Sequence, residues 1–477
     1  MNLLQLLISI VLASVHYVPT DYTLIQTAID ASEDGDSIMV LPGYYDGFNY
    51  GGKNVHVEST QGPDSTYIYG YIRFTNGEGR DAVLKGFNVH GPIDYYEIPI
   101  EAEGADPSIV DNVFESYYWS YTGVMLQDSK NGGIIKLTNS SALIEGNQFL
   151  NNSIYWDSCW LCDGYSILKG LCIYIHQDQP TSMVEIRNNS FTNNHIQSYA
   201  VYTYGLCIYI DGDAFLSNNI FYCNGLVSGF YACIATAVCI DNESDVVIEN
   251  TVFCYNLNQT NNAVAVLDQS ECDIANCIVR SNMLSQTGGS FIAVEYSNVE
   301  GGYAGTGNID SDPQFCTGLL SEYHLDPGSP CVDAGNPDQI FYDPEDSSKP
   351  GYAAWPSLGT VTNDMGVYGG SGVAYWSQGG TEIELSEHVG IQLSPVRLLS
   401  VIPNPVQSTA MIEFTLAESC LARLKIYDIT GRVVYQQENQ YLNGANEIIC
   451  PDLENGFYCS RIEVSNFSAT RSFLVLR

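Results

Sequence analysis

The chain has 477 residues, 45% of them hydrophobic, which is enough for more than one domain with a sizeable core. Only 15% are charged, and 55 Asp and Glu stand against 17 Lys and Arg for a net charge of −38. That balance excludes a sequence-independent nucleic-acid binder, which needs a basic face to displace counterions, and a basic helix laid on an acidic lipid surface.

Residues 2–13 form an apolar run too short to span a bilayer. They read as a secretory signal peptide over residues 1–16, with a buried first strand as the alternative. No other stretch reaches about 18 apolar residues, so no transmembrane segment is predicted. Fifteen cysteines fit an exported chain, and the odd count leaves at least one thiol outside intramolecular pairs. Cys159-Trp-Leu-Cys162 lacks a second ligand pair and reads as a loop disulfide or two thiols rather than a zinc site.

Thr23 and Gln26 have capping-box spacing, and Leu24, Ile25, Ala28 and Ile29 form one apolar helix face. Ser37 to Leu41 then reads as a strand and Pro42-Gly43 as a turn. From residue 111 onward a motif Asn-x-Phe-x-x-Asn recurs, anchored on Phe114, Phe149, Phe191, Phe221, Phe253 and Ile278. Short alternating strands separate the copies, and no helical period appears. Units of this size cannot bury their own apolar face. Stacking them as parallel coils does, with Phe pointing inward and Asn pairing its amide with the next coil. The leading helix would cover the open end of that stack.

The run Tyr22 to Asp30, Asp34-Gly-Asp36 and Val40 to Tyr45 resembles the opening of right-handed parallel β-helix proteins of the pectin-lyase-like superfamily. The segments Asn308 to Phe315, Tyr323 to Gly335 and Asn363 to Gly370 resemble the choice-of-anchor end segment of bacterial secreted β-helix proteins. Residues 371–399 read as a linker. Pro403-Asn-Pro405, Leu424 to Val434, Asn455 to Tyr458 and a final strand resemble the type A sorting domain of the bacterial type IX secretion system. The expected architecture is all-β: a right-handed parallel β-helix over residues 17–370, then a small Ig-like β-sandwich over 400–477. The sorting-domain resemblance implies export by the type IX machinery, followed by release or attachment to the outer-membrane surface.

With Ile173, Ile175, Ile208, Ile210, Val238 and Ile240 inward, strand alternation sends two columns outward. One holds Lys136, Tyr174, Tyr209 and Cys239; the other holds Thr138, His176, Asp211 and Asp241. The tyrosines would offer flat faces to sugar rings. His176, Asp211 and Asp241 are candidates for acid–base catalysis, and Asp211, Asp213 and Asp241 for holding Ca²⁺. A solvated strand face without chemistry is the alternative. The Gly-His-Gly and Asn-Thr-Asp motifs of polygalacturonases are absent, as are pectate-lyase and pectin-methylesterase signatures, so no β-helix enzyme mechanism carries over residue by residue. The expected role is binding of extracellular polysaccharide or surface adhesion, with a lyase or glycoside hydrolase on the outer face as the alternative.

Overall fold

The computed structural model describes residues 13–373, apart from 92–97, 123–128, 158–165, 179–182, 199–200, 229–233, 257–261 and 317–322. It also describes residues 396–475, apart from 403–405, 407–410, 417–419, 429–431, 443, 450, 452 and 465–466. The apolar leader, the Cys159–Cys162 motif and most of the expected linker fall outside these residues. The chain divides into two compact units, Met1–Gln314 with Leu325–Thr381, and Phe315–His324 with Glu382–Arg477.

The first unit is a parallel β-helix. One turn runs through Ile135–Thr138, Leu143–Glu145 and Gln148–Leu150, then out through Ser153–Asp157 and Ser166–Lys169 before the next begins at Ile173. Eleven strands, from Val15–Val18 to Phe291–Glu295, stack in parallel as one wall. Two further files of strands diverge from the nine-residue strand Thr66–Phe74 and close the coil. Smaller parallel sheets lie on the outward excursions; one joins Ser129–Asn131, Ser166–Lys169 and Val201–Tyr204.

The repeated motif accounts for the interior. Phe114, Phe149, Phe191, Phe221 and Phe253 are buried and stack ring on ring, with centroids 4.8, 4.7, 4.6 and 5.0 Å apart. In the next coil Val279, not Ile278, continues the column, because Phe253 pairs with Val279 and Val252 with Ile278. The asparagines form two buried ladders. Asn112, Asn147 and Asn189 each donate Nδ2 to the next Oδ1 at 3.1 Å, ending on Asn219. Asn152, Asn194, Asn224 and Asn256 do the same at 2.8 to 3.0 Å, ending on Asn282. Doubled asparagines divide the work at each corner. Asn188, Asn193 and Asn218 turn the chain with φ of 58, 58 and 53°, a region asparagine tolerates better than most residues. Their followers Asn189, Asn194 and Asn219 carry the ladder.

At the N-terminal end the structure departs from two expectations. The helix is Ile25–Ala31, with Leu24 at its N-cap and no side-chain capping bond. Gln26 instead clamps the outermost strand of the first coil: its Nε2 donates to the Asn49 carbonyl, and its Oε1 accepts the Asn49 N–H at 2.8 Å. Backbone groups at an open sheet edge need such partners. Secondly, Val15–Val18 is already a strand, paired in register with Ser37–Val40. A signal boundary after residue 16 therefore falls inside an element of the fold.

Past the last coil, the chain runs back along the outer corner column. Asn218 donates to the carbonyls of Val367 and Gly369, and Asn250 to those of Asp364 and Gly366. The second unit contains a three-stranded antiparallel sheet of Val396–Ile402, Met411–Leu416 and Gly444–Ile449. Its four-stranded sheet is Val433–Tyr441, Cys420–Asp428, Gly456–Val464 and Phe467–Val475. Ile412, Phe414, Leu424, Ile426 and Ile462 form its buried core, as in a small sandwich.

Candidate functional site

The predicted columns have the predicted register. Lys136 pairs with Tyr174, Tyr174 with Tyr209 and Tyr209 with Cys239, while Thr138 pairs with His176 and His176 with Asp211. Asp241 follows Ile240, the partner of Ile210, and so continues the second column. His176 is 37% exposed at its side chain, and its Nδ1 lies 2.7 Å from Asp211 Oδ2. Its Nε2 is 3.4 Å from Asp178 Oδ1. Asp241 does not join that pair through a side-chain bond; its Oδ2 accepts the Tyr209 hydroxyl at 2.7 Å. Lys169 donates to the same hydroxyl and lies 4.2 Å from the centre of the Tyr209 ring.

Exposure is where the expectation fails. Tyr174 is 6% exposed and Tyr209 fully buried, their rings stacked 5.5 Å apart. They form a second apolar cluster with Ala235, Cys239 and Ala265, against which Tyr204 and Ile234 pack. Strand alternation sends the tyrosines out of the coil, as predicted, but the outward excursions cover them. The cover is close: a Cβ on Gly205 (φ +60°) would fall 2.0 Å from the Ile208 carbonyl oxygen, and one on Gly170 (φ +65°) 2.2 Å from that of Ile173. Burial pushes the Tyr174 phenol up to about 12, with Asp211 adding to the shift, and pushes Tyr209 far above its ordinary value with help from Asp241. These phenols are packing groups and not sugar platforms.

Asp213 sits in the turn beyond Asp211, where its backbone N–H donates to Gln177 and its carboxylate accepts the Asp245 N–H. Among the described residues, no group of three or more His, Cys, Asp or Glu side chains is arranged to hold a metal ion.

An open aromatic surface lies instead on the first three coils. Gly43–Asn49, Thr66–Phe74 and Asn88–His90 are neighbouring strands. Their register makes two adjacent outward columns, Tyr44–Tyr67–Asn88 and Asp46–Tyr69–His90. Tyr44 is 75% exposed and stacks on Tyr67 at 5.1 Å; Tyr69 is 45% exposed and lies parallel to His90 at 4.9 Å. The pairing shifts between Asp46 and Phe48, opposite Gly70 and Tyr71. Gly47 permits the shift, since a Cβ there would lie 2.2 Å from the Tyr71 carbonyl oxygen. The displaced strand opens a groove of about 420 Å³ lined by Gln26, Asp46, Tyr69, Tyr71 and Arg73. Arg73 lies 4.8 Å from the centre of the Tyr71 ring. Burial pushes the Arg73 guanidinium below its ordinary pKa, and Glu101 opposes that shift. Burial likewise pushes the His90 imidazole down, against the pull of Glu115.

The sequence signal for this surface is Tyr67-Ile-Tyr-Gly-Tyr71, aromatic residues at every second position. It lies before the first copy of the Asn-x-Phe-x-x-Asn motif, so the repeat does not set its register.

Two families match the chain. Residues 100–309 match the right handed beta helix region, and residues 400–476 match the secretion system C-terminal sorting domain. No curated protein and no solved structure matches. The coil and its tail thus define a secreted or cell-surface right-handed β-helix protein. It carries a type IX secretion sorting domain at residues 400–476. No helix among the described residues is long and apolar enough to cross a membrane.

Proposed function

We propose that this exported β-helix binds extracellular polysaccharide through the aromatic surface of its first three coils. The observation that carries the reading is the pair of stacks Tyr44–Tyr67 and Tyr69–His90, held open to solvent on a rigid sheet. Exposed aromatic side chains beside a few polar groups make an amphipathic surface of the kind saccharides pack against. The sorting domain places the protein where such polymers are met. The test is retention of the full chain on a panel of polysaccharides. The reading expects retention that falls in the Tyr44→Ala/Tyr69→Ala double variant and persists in Tyr174→Phe. A panel without retention would sink it.

A second reading, cleavage of the same polymers, rests on the His176–Asp211 pair. Asp211 holds one imidazole nitrogen at 2.7 Å and the other lies 3.4 Å from the exposed Asp178 carboxylate, so the part-exposed ring is oriented between two carboxylates. New reducing ends or unsaturated products that vanish in His176→Ala would support it, and their absence from wild-type digests would rule it out.

A further inference from the structure

We infer that the groove takes an uncharged polysaccharide. The inference rests on the saccharide reading above and narrows it to a ligand class.

The ligand class comes from charge. Arg73 is the cationic side chain among the described residues lining the groove, and its charge is already engaged. Its Nη1 donates to the Ile98 and Ile72 carbonyls at 2.9 and 3.2 Å, and its Nε lies 3.5 Å from Glu101. The nearest lysine on that column, Lys136, bonds the other oxygen of Glu101 at 2.8 Å. Lys85, on the neighbouring wall, is paired with Glu58 at 3.0 Å. Besides rings the groove presents the Gln26 amide and the Asp46 carboxylate, and the carboxylate accepts hydroxyls and repels anions. The net charge of −38 adds a long-range penalty for uronate or sulfate polymers. His90, stacked on Tyr69 beside the groove, adds no cation, since burial disfavours its protonation.

The experiment compares retention of the full chain on two uncharged polymers, cellulose and chitin, with migration in gels containing polygalacturonate or alginate, at low and high salt. The expected result is retention on an uncharged polymer that high salt leaves unchanged, with no retardation by the polyuronates. Tyr44→Ala/Tyr69→Ala should weaken it about tenfold, the equivalent of one lost stacking contact. Tyr44→Phe/Tyr69→Phe should preserve it. Both sites are exposed, and circular dichroism of the variants checks that the fold is retained. Retardation by polyuronates that salt abolishes would overturn the uncharged class and leave the saccharide reading standing. No interaction with any polymer would overturn both. Concentration-dependent self-association, lost in the alanine variant without any retention, would make the surface an interface between copies and also overturn both. Retention that the alanine variant does not weaken would overturn the site.

Discussion

Asn189 holds Asn147 twice: its Oδ1 accepts both the Asn147 Nδ2 at 3.1 Å and the Asn147 backbone N–H at 2.9 Å. Its own Nδ2 donates to Asn219 Oδ1 and to the Ile144 carbonyl. One buried amide therefore ties three successive coils. Asn189→Ala would leave several of these groups unpaired in a site closed to water. The expected loss is about 2–4 kcal/mol, read as a lower urea midpoint with an unchanged slope. Asn193→Ala is the control: its amide lies on the exposed side of the next corner and bonds Asn151, so its loss should reflect chiefly the positive φ of that residue and be smaller.

The Tyr209 hydroxyl joins Lys169 to Asp241 beneath the outer cover. Tyr209→Phe keeps the ring in its stack on Tyr174 and removes only that junction. Chemical denaturation should register a loss of about 1–3 kcal/mol. Polysaccharide retention should not change, and a fall in retention would return the Tyr174–Tyr209 column to the binding surface.

Asp343 and Asp364 lie buried in the segment that folds back on the coil. Burial, with Asp364 close by, pushes Asp343 up to about 9; burial pushes Asp364 up to about 7. A raised carboxyl pKa means that the folded state binds the proton more tightly than the unfolded state does. Their contribution is thus full below the unfolded value of about 4, and it is lost as pH rises through about 7 and then about 9. Thermal midpoints should decline across that window. In Asp343→Asn the decline should shrink, because the amide cannot ionise; an unchanged slope would contradict the assignment.

With the apolar leader read as a signal peptide, the fold limits where it can be cut. Ser14 donates its N–H to Asp36 Oδ1 at 2.6 Å, and this bond, after the Glu33 N–H, helps hold the Asp36 carboxyl below its ordinary range. Val15 to Val18 are four consecutive rungs against Ser37 to Val40. The mature N-terminus is expected at or before Ser14, since cleavage after His16 would remove half of those rungs. Intact mass of the secreted protein decides it.

The coil was legible because its two signals, the inward Phe and the paired Asn, repeat in phase with the parallel register. Matching the inward Ile173 and Ile175 to Ile208 and Ile210 is enough to place His176 on Asp211. Burial was not legible in the same way. Whether Tyr209 meets water depends on the path of Ser166–Lys169 and Val201–Tyr204, which leave the coil and return, and no period in the sequence encodes that path. Gly170 and Gly205 mark the returns, but the need for glycine there appears only once the neighbouring carbonyls are in place. Gln26 misled for a related reason. Its spacing from Thr23 satisfies a local rule, and a non-local partner, Asn49, took the amide.

Successive members of the first asparagine ladder are 35, 42 and 30 residues apart, yet each step has the same amide bond and the same stacked ring, and a fourth step of 32 residues puts the Thr251 hydroxyl in the amide's place. Pitch and circumference are thereby decoupled. Gain or loss of sequence between two ladder positions alters what the wall displays and leaves the spacing of the wall untouched. Such a chain can diversify its exterior in whole paragraphs while every spelling error in the ladder is punished, and related coils should differ most in length where they differ least in geometry.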